Sequence, residues 1–241
     1  SIGPGGENRV RYAAIMNNKH RAVGRCGLGA VMGVKNVKAV ACGGKVPIKL
    51  ANAETFKEVA QKQFDLLDES MLKVGFEAFG TNMVSDMVNA RGGYPSRNWQ
   101  QGVLEQIDEV SAQALTDKVF VKGVNCFACP ISCGRGTEIR EGQWAGRSGE
   151  GPEYETTNTL GAQCDVADMN TITMANYLCN EYGLDTITAG STIAFAMECY
   201  EKGILTDEQT GGLALKFGDG ALVVSLIEKI ARREGIGDLL A

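Results

Sequence analysis

The spacing of hydrophobic and polar residues predicts short β segments in roughly the first 44 residues. Two runs rich in β-branched residues, VRYAAIM (10–16) and VKAVAC (37–42), are separated by the glycine-rich stretch VGRCGLGAVMG (23–33). The glycines are compatible with a tight connection between strands. They are equally compatible with an anion cradle, because glycine lets backbone N–H groups approach a phosphate closely.

Beyond Pro47 the hydrophobic residues recur at helical spacing, and Asn52 is the candidate N-cap of the first helix. The apolar face of this helix is formed by Phe56, Val59, Phe64 and Leu67. Thr81 or Asn82 is the candidate N-cap of the next helix, which is expected to end near Gly92.

Longer helices dominate the second half of the chain. They are predicted at Val166–Tyr182, from Asp185 to Gly203, and at Asp219–Glu234, after a short helix at 110–118. Loops are predicted at 91–104 and, because the segment is polar and rich in glycine, at 134–151. We therefore expect an α+β fragment that is mostly α. The end of a β-containing domain (residues 1–47) is followed by a helical domain (residues 48–241).

The composition narrows the possible functions. Of the 241 residues, 44% are hydrophobic and 22% are charged, as in a soluble globular protein. The net charge of −5 gives no electrostatic footprint for nucleic acid or an anionic membrane, and no apolar run approaches a membrane span. Because the chain opens on SIGPGGENRVRY without a methionine, we expect it to be the interior of a longer, cytoplasmic protein.

Three cysteines, Cys126, Cys129 and Cys133, stand close together in NCFACPISCGRG (125–136), at the spacing C-x2-C-x3-C. Others lie in apolar or helical surroundings, where a thiol is usually a small buried hydrophobe: Cys42, Cys164, Cys179 and Cys199. This density of cysteine is too low for a disulfide scaffold, so we expect a reducing compartment. Because the sequence contains a single histidine, His20, a metal site built on several imidazoles of this segment is excluded. His20 itself is interpreted as a loop residue.

A cubane iron–sulfur cluster suits the three clustered cysteines best. Three closely spaced thiolates can bind three iron corners, while the fourth ligand usually comes from a distant part of the chain. A structural zinc site prefers two separated pairs of ligands, and a thioredoxin-like CxxC has no use for a third cysteine. Zinc and a purely structural role remain the alternatives. The fourth cluster ligand is expected beyond residue 241.

Seven segments, taken in order, resemble the aldehyde ferredoxin oxidoreductase family of tungsten enzymes. They are SIGPGGENRVRYA, GRCGLGAVMGVKNVKAVA, YPSRNWQQG, CFACPISCGR, GPEYET, NEYGLD and IARREGIGDLLA. The resemblance covers essentially the whole chain and only the interior of the family's sequence. It implies that residues 1–47 are the end of a pterin-binding domain.

The resemblance implies two redox cofactors. In this family two pterins hold one tungsten, or molybdenum in some relatives, and a [4Fe–4S] cluster relays electrons; a magnesium ion between the pterin phosphates is a further expectation. Cys126, Cys129 and Cys133 match cluster ligands. The residues matching the loop that wraps one pterin and its phosphate are Arg25, Cys26, Gly27, Leu28 and Gly29. Cys26 stands where the family usually has a small residue, and we do not expect it to bind metal.

A second pterin motif and a proton relay follow from the same resemblance. The family's D-x-x-G-L-D motif, which hydrogen-bonds pterin nitrogens, matches Asn180, Gly183, Leu184 and Asp185. Asn180 departs from it, and a neutral amide should bind the pterin N–H groups more weakly than a carboxylate. Glu155 matches the acidic residue that relays protons, with Glu153 as its nearest rival. Without the resemblance, Gly183 would be interpreted as a helix C-cap and both glutamates as ordinary carboxylates at a helix start.

The leading hypothesis is therefore an enzyme that oxidises aldehydes to carboxylic acids and passes electrons through the cluster to ferredoxin or an electron-transfer subunit. The alternative within the family is a benzoyl-CoA reductase-type subunit, which reduces the aromatic ring of an acyl-CoA. A third hypothesis, outside the enzymes, is a non-catalytic iron–sulfur or scaffold fragment. We expect a homo- or hetero-oligomer, and neither a nucleic acid nor a membrane as partner.

Overall fold

A computed structural model describes residues 1–241. The α-helices are Pro4–Glu7 (α1), Leu28–Val34 (α2), Ala53–Asp68 (α3), Met71–Phe79 (α4), Ser85–Ala90 (α5), Ala112–Lys118 (α6), Tyr154–Leu160 (α7), Met169–Tyr182 (α8), Thr186–Glu201 (α9), Asp207–Thr210 (α10), Gly220–Arg232 (α11) and Ile236–Leu240 (α12). The strands are Ile15–Asn17 (β1), Arg21–Val23 (β2), Phe120–Val124 (β3), Gly134–Glu138 (β4) and Ser148–Glu150 (β5). Short 3-10 helices lie at Arg25–Gly27, Gly80–Val84, Ile107–Glu109 and Ala162–Cys164.

The hydrophobic core is built from helices, with α8 packed between α7 and α11, and α9 against α7. Fully buried side chains such as Ile172, Ile193 and Leu226 lie at its centre. The segment before β1 joins the same core through Val10 and Tyr12. The predicted fold class, α+β and mostly α, is confirmed. None of the helices has both the length and the apolar composition needed to cross a bilayer.

Two small antiparallel sheets flank the helices. Strands β1 and β2 form a hairpin, and β3, β4 and β5 form a three-stranded sheet with β4 in the middle. Val124 at the end of β3 pairs with Gly134 at the start of β4, so the whole cysteine-containing segment is the loop between two paired strand ends.

Helix boundaries follow the predicted caps where a short polar side chain precedes an apolar helix. Asn52 Oδ1 accepts a hydrogen bond from Thr55 N at 3.0 Å, which confirms the predicted start of α3. Gly183 adopts the left-handed conformation (φ 70°) that ends α8. Asp185 is the N-cap of α9, and residues 91–104 form a loop as expected.

Thr81 and Asn82, by contrast, do not cap a helix through their side chains. They lie within the 3-10 helix Gly80–Val84, which leads directly into α5. The Thr81 hydroxyl accepts from Tyr154 N at 2.9 Å, and Asn82 Nδ2 donates to Pro152 O at 2.9 Å. The two side chains therefore hold the start of α7 instead of their own helix.

The predicted strands and loops differ more from the structure than the predicted helices do. Residues 37–42 form no strand: a single long-range backbone hydrogen bond, from Ile2 N to Lys38 O at 2.9 Å, holds the segment without a β ladder, and Val40 is 79% exposed. The segment predicted as a loop, 134–151, contains β4 and β5. The glycine-rich stretch is a 3-10 turn followed by helix α2, not a connection between strands. Helix α11 ends at Arg232, two residues before the predicted end, because Arg233 adopts a left-handed conformation (φ 56°). The division into domains at residues 47 and 48 stays a prediction.

Candidate functional site

The cysteine loop is closed by its own polar side chains. Asn125 Nδ2 donates to Cys129 O at 2.8 Å, and the Ser132 hydroxyl donates to Asn125 Oδ1 at 3.1 Å. Cys129 N donates to Cys126 O at 3.1 Å, which makes a tight turn around the first two cysteines. Because β3 and β4 pair at its base, both ends of this loop are fixed.

The three thiols are free and accessible. Cys126 is exposed, and Cys129 and Cys133 are half-buried. Burial raises the pKa of the Cys133 thiol, and the nearby charges of Glu153, Cys126 and Cys129 raise it further.

This set of donors fits an iron–sulfur cluster. The side chains do not converge on one point as ligands of a single metal ion would. Each cysteine of a cubane cluster binds a different iron, so three thiolates spread around one loop suit it better than one zinc ion.

The two segments matched to pterin motifs meet at a second place. A cleft of about 270 Å³ lies between the turn after β2, the end of β5 and the start of α9. The Arg25 guanidinium approaches the Asp185 carboxylate, with Nε and Oδ2 3.6 Å apart. An ion pair between Arg21 and Glu150 ties the hairpin to β5 on the opposite wall. The structure therefore brings together segments about 160 positions apart in the chain.

Asp185 has a local partner for each of its oxygens. Oδ1 accepts from Ile187 N and Oδ2 from Thr188 N, both at 3.2 Å, and the Thr188 hydroxyl donates to Oδ2. The carboxylate is 5% exposed, and its backbone N–H donates to Tyr12 O at 3.0 Å. Its position at the cleft is thus fixed by helix capping.

Internal packing explains two of the glycines in the pterin-loop match. A Cβ added to Gly27 would lie 2.1 Å from Arg11 O, and one added to Gly29 would lie 2.5 Å from Ala14 O. Both residues let α2 pack against the backbone before β1 and do not line the cleft. Arg25 lines the cleft, whereas Cys26 and Leu28 are exposed.

The two candidate proton carriers lie in different environments. Glu155 is exposed on the first turn of α7 and does not line the cleft. Glu153 lines the cleft and accepts a hydrogen bond from the Thr81 hydroxyl. Burial raises the pKa of Glu153, and the Glu150 carboxylate adds to the effect. The family resemblance ranks Glu155 before Glu153, and no sequence pattern reports which of the two carboxylates is buried.

A larger groove of about 1030 Å³ adjoins the cleft and shares His20, Glu150 and Asn180 with it. The groove also carries Lys19 and Lys122. Burial lowers the pKa of His20, and the positive charges of Lys19 and Arg21 lower it further. The volume is that of a site for a cofactor-sized molecule. The cleft and the groove together offer carboxylates and amides to pterin N–H groups, and arginine and lysine to phosphate. This set of side chains fits a phosphorylated pterin.

Two models of one protein family match most of the chain. The family model described as "Aldehyde ferredoxin oxidoreductase, domains 2 & 3" matches residues 58–241. The model described as "Aldehyde ferredoxin oxidoreductase, N-terminal domain" matches residues 1–44.

Among curated relatives, a tungsten-containing aldehyde ferredoxin oxidoreductase of Pyrococcus abyssi is 44% identical over the whole chain. The WOR-like subunit of an aliphatic sulfonate oxidoreductase of Pyrococcus furiosus is 34% identical, again over the whole chain. The chain spans 40% of the length of the first relative and 38% of the second.

A solved structure, the active site complex BamBC of benzoyl coenzyme A reductase with 1,5-dienoyl-CoA, matches with a TM-score of 0.78 and 27% identity. The match covers the whole of this chain and 37% of that one.

Proposed function

The chain belongs to the aldehyde ferredoxin oxidoreductase family, and on that premise we propose that it serves a tungsten–pterin enzyme that oxidises aldehydes to carboxylic acids. The observation that carries the proposal is 44% identity, over the whole of this chain, to a relative named for tungsten and for aldehydes. Electrons would leave through a [4Fe–4S] cluster to ferredoxin in the cytoplasm.

We assign the pterin to the cleft and the groove that adjoins it. When bound, the tungsten–pterin, or its molybdenum counterpart, supplies two-electron redox chemistry. Asp185 would accept hydrogen bonds from pterin N–H groups, and Asn180 can both accept and donate. Arg25 would bind phosphate or orient Asp185, and a magnesium ion, when bound, would neutralise phosphate charge in the groove.

The cluster would be held at Cys126, Cys129 and Cys133. Each thiolate would bind one iron, and the polar contacts of Asn125 keep the loop in shape before any metal binds. Strand β4 begins directly after Cys133 and pairs with β5, which ends at Glu150 in the wall of the cleft. The cluster loop and the cleft therefore share one small sheet.

For the proton that leaves during aldehyde oxidation we propose Glu155 as acceptor. Glu155 stands at the relay position of the family's GPEYE match and its carboxylate is exposed, whereas that of Glu153 already accepts from Thr81 and helps to join Thr81 to the start of α7. Glu153 remains the rival, since it lines the cleft and has the raised pKa that suits a base.

The structural match favours one second candidate, a subunit that reduces the aromatic ring of an acyl-CoA. This candidate is supported by a TM-score of 0.78 to the active site complex of a benzoyl coenzyme A reductase. We rank the aldehyde reaction first, because sequence identity is 44% to the aldehyde enzyme and 27% to that protein. The ring-reducing reaction would require an electron-transfer subunit, hence a hetero-oligomer.

Metal analysis joined to an activity screen separates the candidates. The full-length protein would be produced anaerobically with tungstate or molybdate, and its iron, tungsten, molybdenum and pterin contents measured. Simple aldehydes with oxidised ferredoxin would be compared with aromatic CoA thioesters and a strong reductant. Turnover of aldehydes supports the first proposal, and ring reduction the second. Protein that contains iron but neither tungsten, molybdenum nor pterin would contradict both and leave a non-catalytic iron–sulfur protein.

A further inference from the structure

Arg135, on β4, has a fully enclosed side chain two residues after Cys133, and the residue is only 2% exposed. Its guanidinium lies over the ring of Phe120, with Cζ 4.8 Å from the ring centre. Four N–H groups donate to backbone carbonyls: Nε to Gly134 O at 3.1 Å, Nη1 to Ala78 O at 2.9 Å, and Nη2 to Glu77 O at 2.9 Å and Ser132 O at 2.8 Å.

These carbonyls belong to two separate parts of the chain. Ser132 and Gly134 flank Cys133, whereas Glu77 and Ala78 are in the last turn of α4. Arg135 therefore ties the end of the cysteine loop to the end of a helix. The last turn of a helix has carbonyls without intrahelical partners, so a planar group with several donors is well suited to this place.

The backbone is closely packed around the contact between the cysteine loop and α4. Gly80 follows α4 with φ +65°, and a Cβ there would lie 2.8 Å from Cys133 O and 3.4 Å from the side chain of Arg135. Gly123 faces the other side, where a Cβ would lie 2.8 Å from Ser132 Oγ. Cys133 is thus held from both sides of the loop.

The charge of Arg135 is not neutralised by an ion pair. No carboxylate oxygen lies within 4.0 Å of its guanidinium nitrogens, although a buried cation paired only with neutral carbonyls is costly. The guanidinium donates to the carbonyls on both sides of Cys133, so a negatively charged cluster bound at Cys133 would provide the compensating charge that the protein itself does not place beside Arg135.

We propose that Arg135 is a positioning residue of the cluster site, which holds Cys133 in place for iron and supplies a fixed positive charge that favours the reduced cluster. This rests on the proposed function, because it requires that the three cysteines hold the cluster. A cluster with four thiolates carries net negative charge, and each electron that it accepts adds to that charge. A cation in a buried setting beside it stabilises the reduced form and raises the reduction potential.

The test uses the full-length protein, prepared anaerobically with its cluster, in which the cluster is titrated by one-electron reduction and followed by its visible absorption. In Arg135→Gln the positive charge is lost, so the reduction equilibrium should move at least tenfold toward the oxidised cluster, which is about 59 mV for one electron. In Arg135→Lys the positive charge remains, but the planar guanidinium with its several N–H donors is lost. This variant should keep a potential near that of the wild type and lose iron to a chelator several times faster.

Arg140→Gln is the matched control. Arg140 also donates to two backbone carbonyls, Asp117 O and Phe120 O, but it is exposed and lies at the opposite end of the β3–β4 pair. This variant should change neither the potential nor the rate of iron loss.

Each outcome has one meaning. A loaded Arg135→Gln protein with the wild-type potential would overturn the charge role, while the cluster itself would stand. If Arg135→Gln does not fold or does not retain iron, Arg135→Lys decides: a potential lowered as if the charge were absent, or iron loss at the wild-type rate, overturns the inference. Absence of iron from the wild-type protein would instead overturn the proposed function and this inference together.

Discussion

Glu153 and Glu155 show how much two positions can change the chemistry of one residue type. Glu153 is the extended N-cap residue of α7 (φ −78°, ψ 167°), and its carboxyl turns inward to Thr81. Glu155 lies on the first helical turn and faces solvent. The sequence predicts that a helix starts here, but the direction of each side chain depends on the exact helix start, which sequence patterns fix only to within a few residues.

Replacing any one of Cys126, Cys129 and Cys133 by serine should remove most of the broad visible absorption of the cluster. Each variant loses one of the thiolates that bind about four irons, and a hydroxyl is a poorer iron ligand. Iron content and absorption of the anaerobic full-length protein provide the measurement. Cys42→Ser, a change at an exposed cysteine outside the loop, is the control. Unchanged iron in all three loop variants would contradict the assignment.

Glu155→Gln should lower turnover by at least about a hundredfold while iron, tungsten and pterin contents stay at the wild-type level. Glutamine is nearly isosteric but cannot accept the proton, and a proton carrier typically contributes a factor of about a hundred to ten thousand. Steady-state kinetics with an aldehyde gives the answer, and Glu153→Gln is the matched variant. Normal turnover in Glu155→Gln, together with the same large loss in Glu153→Gln, would move the role to the buried carboxylate.

Helices whose ends are set by residues only a few positions away in the sequence could be predicted from the sequence. The starts of α3 and α9 and the end of α8 follow from Asn52, Asp185 and Gly183, because a cap bonds to backbone only two to four residues away. The cysteine loop was likewise evident from spacing. These local signals fixed most of the helical part and the ligands of the proposed cluster.

Strands β4 and β5 could not be found in this way. Their sequences, GRGTE and SGE, have no β-branched alternation, and they exist because β3 and each other supply hydrogen-bond partners. The reverse error occurred at 37–42, where a β-branched run has no partner strand. The cleft was hidden for the same reason, since the Arg25–Asp185 contact joins distant segments.

Two helix caps allow structure and cofactor binding to be separated. Asp168 and Asp185 have the same arrangement: each accepts from the backbone N–H groups two and three residues on, and from a threonine hydroxyl. Asp168→Ala and Asp185→Ala should therefore each lower the free energy of unfolding by about 1 kcal/mol, within a range of roughly 0.5–2 kcal/mol. Only Asp185→Ala should also lower tungsten and pterin contents, in parallel.

Cofactor content measured on both variants checks this, with urea unfolding as the measure of stability. Asn180→Asp adds a second arm, since it places a carboxylate where the family's motif has one and should keep or increase pterin content. Equal pterin content in Asp168→Ala and Asp185→Ala would show that Asp185 is a cap and nothing more.

At the largest scale, residues 8–12 contact residues 231–241, which are far away in the sequence. Arg11 N donates to Ala241 O at 2.8 Å, and the Tyr12 hydroxyl donates to Leu240 O at 2.7 Å. Asn8 Nδ2 donates to Ala231 O at 2.8 Å. These contacts fix the segment before β1, whose carbonyl at Tyr12 accepts from Asp185 N, so the cleft depends on how the first residues dock against α11 and α12. Such contacts over more than 220 positions leave no pattern in the sequence.

Arg233 is the residue through which this contact can be tested. Its guanidinium donates to Asn8 O at 2.7 Å and Arg9 O at 3.2 Å, and it forms an ion pair with Asp238 at 2.7 Å. Arg233→Gln should lower the free energy of unfolding by about 1–2 kcal/mol, because hydrogen bonds from a charged group are lost at a partly buried junction. The neighbour Arg232 makes an exposed ion pair with Glu228, and its Cζ lies 6.0 Å from the centre of the Tyr182 ring. Both contacts are weak at an exposed site, so Arg232→Gln should change stability less than Arg233→Gln, by about 0.5 kcal/mol. Urea unfolding of the three proteins measures the difference, and equal stability of the two variants would mean that the two segments are not held together by Arg233.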